Sequence, residues 1–174
     1  MLLNYGANVG LHGKMDNVID NYYLAKDNLR ARATLKGVGM TPEGIENNPV
    51  MYELLMELPW RPERFTKEDW LKGYVKARYG KDEPVLQLAW GKLANSIYNA
   101  PKELTQQGTH ESVFCARPGL DVYQVSSWSE MKDYYDPQEV IEAARLMVSV
   151  ADRYRGNTNF EYDLVDVVRQ AIAE

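Results

Sequence analysis

The sequence predicts a mainly α protein, a helical array preceded by a short β-α-β piece. Three observations support this. From residue 48 onward, segments with apolar residues at three- and four-residue spacing follow one another, most opening on a proline and closing on a glycine or proline. The first 45 residues instead read strand, glycine-rich loop, amphipathic helix, strand. Two strands cannot form an independent parallel sheet, so this piece belongs to a larger sheet or barrel.

Met1-Leu2-Leu3 reads as a buried strand, with residues 1–5 as its extent, and as neither a signal peptide nor a frayed terminus. Residues 4–13 hold three glycines and two asparagines, the composition of a loop with unusual backbone angles and several amide groups. Such a loop suits either a wall of a polar-ligand site or a plain connector. His12, alone in this loop, is expected to be solvated. Met15, Val18, Ile19, Tyr22 and Tyr23 share one helical face. Residues 35–38 are expected to be the second strand.

Further along, Asn48 and Pro49 suit the N-cap and first position of a helix buried through Val50, Leu54, Leu55 and Leu58. Thr66 and Asp69 form a capping box ahead of Trp70, Leu71, Tyr74, Val75 and Tyr79, with Gly80 closing that helix. A helix over residues 83–98 should bury Val85, Leu88, Ala89, Leu93 and Ile97. Residues 100–127 have no clear period and read as a functional loop or a short embedded element. Asp136-Pro137-Gln138-Glu139 starts a helix with Val140, Ile141, Ala144, Met147, Val148 and Ala151 inward, and residues 160–173 form the last, with Leu164, Val167, Val168 and Ile172 apolar.

Composition narrows the function. The 174 residues are 45% hydrophobic and 26% charged, which suits a packed core. A net charge of −5 with no basic stripe argues against a nucleic-acid partner. No segment approaches the roughly 20 apolar residues of a membrane span, so no membrane partner is expected. One cysteine and two histidines do not make a convincing zinc site, so no metal is expected. Among the aromatics, Trp70, Tyr74 and Trp90 fall in helical positions and are expected in the core, while Trp60 and Trp128 fall in loops and are the candidates for exposure.

One stretch stands out for chemistry. In Thr41-Pro42-Glu43-Gly44-Ile45, Pro42 restrains the backbone and Gly44 permits a tight turn. A carboxylate is thereby held on a stiff turn just past a strand end. The residues alone leave open whether Glu43 is catalytic or sits on an ordinary surface turn.

Several separated blocks carry a resemblance. They are Met1-Leu2-Leu3-Asn4-Tyr5-Gly6-Ala7-Asn8-Val9-Gly10-Leu11-His12-Gly13, Gly37-Val38-Gly39-Met40-Thr41-Pro42-Glu43-Gly44-Ile45, Tyr52-Glu53-Leu54-Leu55-Met56-Glu57-Leu58-Pro59-Trp60, Ala77-Arg78-Tyr79-Gly80 and Phe160-Glu161-Tyr162-Asp163-Leu164-Val165-Asp166-Val167-Val168-Arg169-Gln170. In this order they resemble the α-N-acetylglucosaminidases, glycoside hydrolase family 89. The resemblance implies the end of a (β/α)8 catalytic barrel over residues 1–45 and part of an all-α C-terminal domain over residues 46–174. It implies retaining hydrolysis of terminal α-linked N-acetylglucosamine with no cofactor. Glu43 matches the family's nucleophile. Asn4, Gly6 and Asn8 match a pocket-shaping loop, while Tyr5 and Ala7 depart from the family's usual Phe and Gly. The family's acid/base glutamate comes from an earlier barrel strand, so this polypeptide alone is expected to be inactive. Its exposed barrel-remnant surface is expected to favour self-association. The competing reading is a non-catalytic helical module that binds a glycan or a protein.

Overall fold

A computed structural model of the chain describes residues 2–3, 6–7, 10–42, 46–103, 118–122 and 134–174. Strand β1 (Leu2–Leu3) is followed by β2 (Gly6–Ala7), α1 (Met15–Asp27), the short α2 (Leu29–Thr34), β3 (Gly39–Met40) and β4 (Glu46–Asn47). Then come α3 (Pro49–Glu57), a 3-10 turn (Leu58–Trp60), α4 (Lys67–Tyr79), α5 (Pro84–Asn95), α6 (Pro137–Val150), a second 3-10 turn (Ala151–Tyr154) and α7 (Thr158–Ala173).

β1 and β3 pair in parallel, Leu2 opposite Gly39 and Leu3 opposite Met40, with α1 and α2 in the crossover. This is the expected β-α-β unit. Its second strand lies later than expected, at Gly39–Met40 and not at residues 35–38. Thr34, the last residue of α2, passes into extended backbone at Leu35, and the pairing partner arrives four residues on. α2 is short and polar and carries no apolar period in the sequence. Asn28 nucleates it by accepting from Arg30 N and Ala31 N, both at 3.0 Å.

α4, α5, α6 and α7 form a closed cycle in which α5 packs on both α4 and α6, and α7 on both α6 and α4. Each start is capped as its sequence demands. Thr66 Oγ1 accepts from Asp69 N, Asp136 from Gln138 N and Asn157 from Phe160 N. Gly80 ends α4 at φ +83°, left-handed backbone where a β-carbon would be strained. Val50, Leu54, Leu55 and Leu58 are buried as expected, as are Trp70, Leu71, Tyr74, Val75 and Tyr79.

Three helices differ from expectation at one position each. In α5 the buried residues are Leu86, Ala89, Trp90, Leu93 and Ala94, and Leu88 is exposed. Trp90 decides the rotation. Its ring stacks on Tyr98 and meets Tyr74 edge-on, so the largest side chain turns inward and Leu88 turns out. Val148 in α6 and Ile172 in α7 are exposed as well.

One apolar cluster spans both parts of the chain. Leu11, Met15, Val18 and Ile19 join it with Val50, Leu54, Trp90, Leu93 and Met147. Each fully buried Leu, Ile or Met contributes about 1.5–3 kcal/mol relative to exposure, so α1 is anchored by the same core as the helical cycle.

Candidate active site at the strand ends

Because β1 and β3 are parallel, the chain leaves both at the same end of the pair. From there each segment runs into a second strand, β2 and β4, and these pair antiparallel with Gly6 opposite Asn47 and Ala7 opposite Glu46. The segments that contain Asn4 to Asn8 and Thr41 to Asn47 thus start side by side and are joined again by β2 and β4. Gly6 lies in β2. Asn4, Asn8 and Glu43 lie outside the described residues, as does Trp128. Thr41 and Pro42, which lead from β3 to Glu43, are exposed.

A buried polar clamp sits behind this end. Asn48 is fully buried; its Oδ1 accepts from His12 N at 3.1 Å and its Nδ2 donates to Gly10 O at 3.0 Å. It occupies the N-cap position of α3, yet its side chain makes no cap hydrogen bond. The expected cap is therefore replaced by a crosslink to the loop after β2. Gln170 of α7 accepts from Leu11 N at 3.3 Å in the same loop. Tyr52 Oη donates to Asn47 Oδ1 at 3.1 Å and steadies β4.

His12 overturns its expected solvation. It is fully buried, with Nδ1 3.0 Å from Tyr134 Oη. Tyr134 donates its hydroxyl proton to Ile97 O, so His12 Nδ1 carries the proton in that contact. A loop histidine in a glycine-rich stretch gives no sequence signal for this, because its partner lies 122 positions away. Beside it, the β-carbon of an alanine at Gly13 would come within 2.5 Å of Met51 Sδ and 2.9 Å of Tyr98 Cδ1. An alanine there would force Met51 and Tyr98 to shift.

The described residues offer little else for chemistry near the strand ends. Among them no three His, Cys, Asp or Glu side chains gather as a metal centre needs, and no helix is long and apolar enough to cross a membrane. A groove of about 360 Å³ lies between α5 and α6, lined by Leu88, Lys92, Glu142, Arg145, Leu146 and Ser149, none of them from the strand-end segments. Trp60 is exposed at 84%, as its loop position implied.

Comparison with known proteins agrees with this architecture. Residues 1–62 match the tim-barrel domain of alpha-N-acetylglucosaminidase, and residues 70–174 match its C-terminal domain. The chain is 35% identical to human alpha-N-acetylglucosaminidase over 175 aligned positions, which take in all of this chain and 22% of the human protein. A family 89 glycoside hydrolase from Clostridium perfringens, bound to 2-acetamido-1,2-dideoxynojirimycin, superposes with a TM-score of 0.84 at 26% identity, over 99% of this chain and 20% of the clostridial one. A doubly substituted form of the Clostridium perfringens enzyme, in complex with its substrate GlcNAc-alpha-1,4-galactose, gives 0.81 at 28% identity over 99% and 19% of the two chains. The chain thus spans about a fifth of the length of the relatives it matches. With both of its parts matched in order, and with the parallel strand pair leading into a helical cycle, the chain belongs to the α-N-acetylglucosaminidase family, glycoside hydrolase family 89.

Proposed function

We propose that this chain supplies the nucleophile-bearing end of a retaining α-N-acetylglucosaminidase, with Glu43 as the nucleophile and Asn4, Gly6 and Asn8 shaping the sugar pocket. In this reading residues 1–45 are the end of the catalytic barrel and residues 46–174 are part of the helical domain. The observation that carries it is positional. In sequence Glu43 comes three residues after the end of β3, the strand parallel to β1, and catalytic groups of (β/α)8 enzymes sit just past the C-terminal ends of their strands. The Clostridium perfringens enzyme holding its substrate carries two Glu-to-Gln substitutions, as a mechanism that needs two carboxylates would require.

The substrate is a glycan ending in α-linked N-acetylglucosamine. The Glu43 carboxylate attacks the anomeric carbon as the glycosidic bond breaks and forms a glycosyl-enzyme. A second carboxyl, about 5–5.5 Å away in retaining enzymes, protonates the leaving oxygen and then deprotonates the water that releases the sugar. That second group belongs to another barrel strand, so the 174 residues alone do not turn over substrate.

Release of p-nitrophenol from its α-N-acetylglucosaminide tests both parts. The full-length enzyme should lose turnover on Glu43→Gln, and full activity of that variant would overturn the assignment. Turnover by the 174-residue chain alone, abolished by Glu43→Gln, would overturn the requirement for a second strand.

A further inference from the structure

Among the described residues the β2–β4 ladder comprises two residue pairs, Gly6 with Asn47 and Ala7 with Glu46. Two pairs by themselves are a marginal ladder. Asn48 adds two hydrogen bonds beyond it, both across to Gly10 and His12, in an interior without competing water. It does so from an N-cap position, forgoing the hydrogen bond back to its own helix that such a residue usually makes. Pro49 then starts α3 with fixed φ, so the residue that anchors the crosslink cannot swing freely.

From this juxtaposition we propose that Asn48 is a positioning residue for glycoside hydrolysis. It holds the segment carrying Asn4, Gly6 and Asn8 in register with the segment carrying Glu43, and it rests on Glu43 being the nucleophile. Asn48 touches no substrate. It acts through the backbone of the two segments, one of which it ends and the other of which it grips. Attack at an anomeric carbon depends steeply on placement, and a displacement of about 1 Å can cost on the order of 100-fold in rate.

The test uses the full-length enzyme with p-nitrophenyl α-N-acetylglucosaminide as substrate and 2-acetamido-1,2-dideoxynojirimycin as competitive probe. Asn48→Asp keeps shape and acceptor but loses the donor to Gly10, and Asn48→Thr keeps one short hydroxyl. Tyr79→Phe, which removes a buried hydroxyl from the helical cycle, serves as a control of comparable stability loss. Asn48→Asp should lower kcat about 10- to 100-fold, with a smaller change in KM and in probe affinity, while Tyr79→Phe keeps its kcat. If Asn48→Asp does not fold, Asn48→Thr carries the same expectation. A kcat within about twofold of the parent in the folded variant, or an equal fall in Tyr79→Phe, overturns the proposal. Glu43→Gln is assayed alongside. If it is dead while the Asn48 variants are unimpaired, only the positioning role fails; if it is active, the nucleophile reading fails.

Discussion

Arg78 on α4 grips Asp163 on α7 with two parallel hydrogen bonds, Nε to Oδ2 at 2.5 Å and Nη2 to Oδ1 at 2.8 Å. Both side chains are nearly buried, and Tyr79 Oη donates to the same Oδ2 at 2.7 Å while Trp90 Nε1 donates to Tyr79 Oη at 2.8 Å. Burial is the largest single influence and works against the Arg78 charge, but the bond to Asp163 and the electrostatic attraction of Tyr74, Asp163 and Glu53 together outweigh it and leave the guanidinium pKa raised. Burial and then the Asp163 charge push the Tyr79 hydroxyl up. Removing Asp163 leaves the nearly buried Arg78 with the half-exposed Glu53, whose Oε1 accepts from Nη1 at 2.9 Å, and strips the Tyr79 hydroxyl of its acceptor, so Asp163→Ala should cost roughly 3 kcal/mol. The double variant Arg78→Met/Asp163→Leu should recover most of that loss. Urea unfolding of the three proteins checks this, and additive losses would contradict a shared origin.

Gly13 gives a second prediction. Its neighbours Met51 Sδ and Tyr98 Cδ1 occupy the place of a β-carbon. Overpacking of this kind costs about 1–3 kcal/mol. Gly13→Ala should therefore lower the unfolding midpoint, whereas Gly91→Ala, where a β-carbon meets nothing within 4 Å, should not.

A third concerns pH. The exposed Asp69 takes hydrogen bonds from Lys72 Nζ at 3.0 Å and Thr66 Oγ1 at 3.1 Å, and these, the lysine first, hold its carboxyl below the usual aspartate value. A depressed carboxyl stabilises the fold above its unfolded pKa and loses that contribution as pH falls through the folded one. Asp69→Asn should thus be less stable than the parent at about pH 7, with the difference shrinking as the pH falls below about 4. Denaturation across that range measures it; a gap that widens in acid would contradict the sign.

The fourth is chemical. In the full-length enzyme Glu43→Gln should remove at least about 100-fold of kcat on the p-nitrophenyl glycoside. A stopped assay with intact-mass detection should also find no glycosyl-enzyme. A variant that still accumulates the covalent intermediate would move the nucleophile elsewhere.

Much of the fold is written locally. Proline at the first helical position of α3, α5 and α6, cap residues Thr66, Asp136 and Asn157, and the apolar spacing of α1, α3 and α4 depend on neighbours three or four residues away. Sequence order alone carries such signals, and it also brings Glu43 to the end of a strand. Leu88, His12 and Asn48 show where local signals stop. Leu88 and Trp90 are both expected inward, yet only Trp90 is buried, against the Tyr74 and Tyr98 rings, and Leu88 is exposed. His12 looks like a surface residue until Tyr134 meets it, and Asn48 looks like a cap until Gly10 and His12 compete for its amide. Those choices belong to the tertiary structure, because a buried polar group settles on the partner that satisfies it, and here each partner comes from a distant part of the chain.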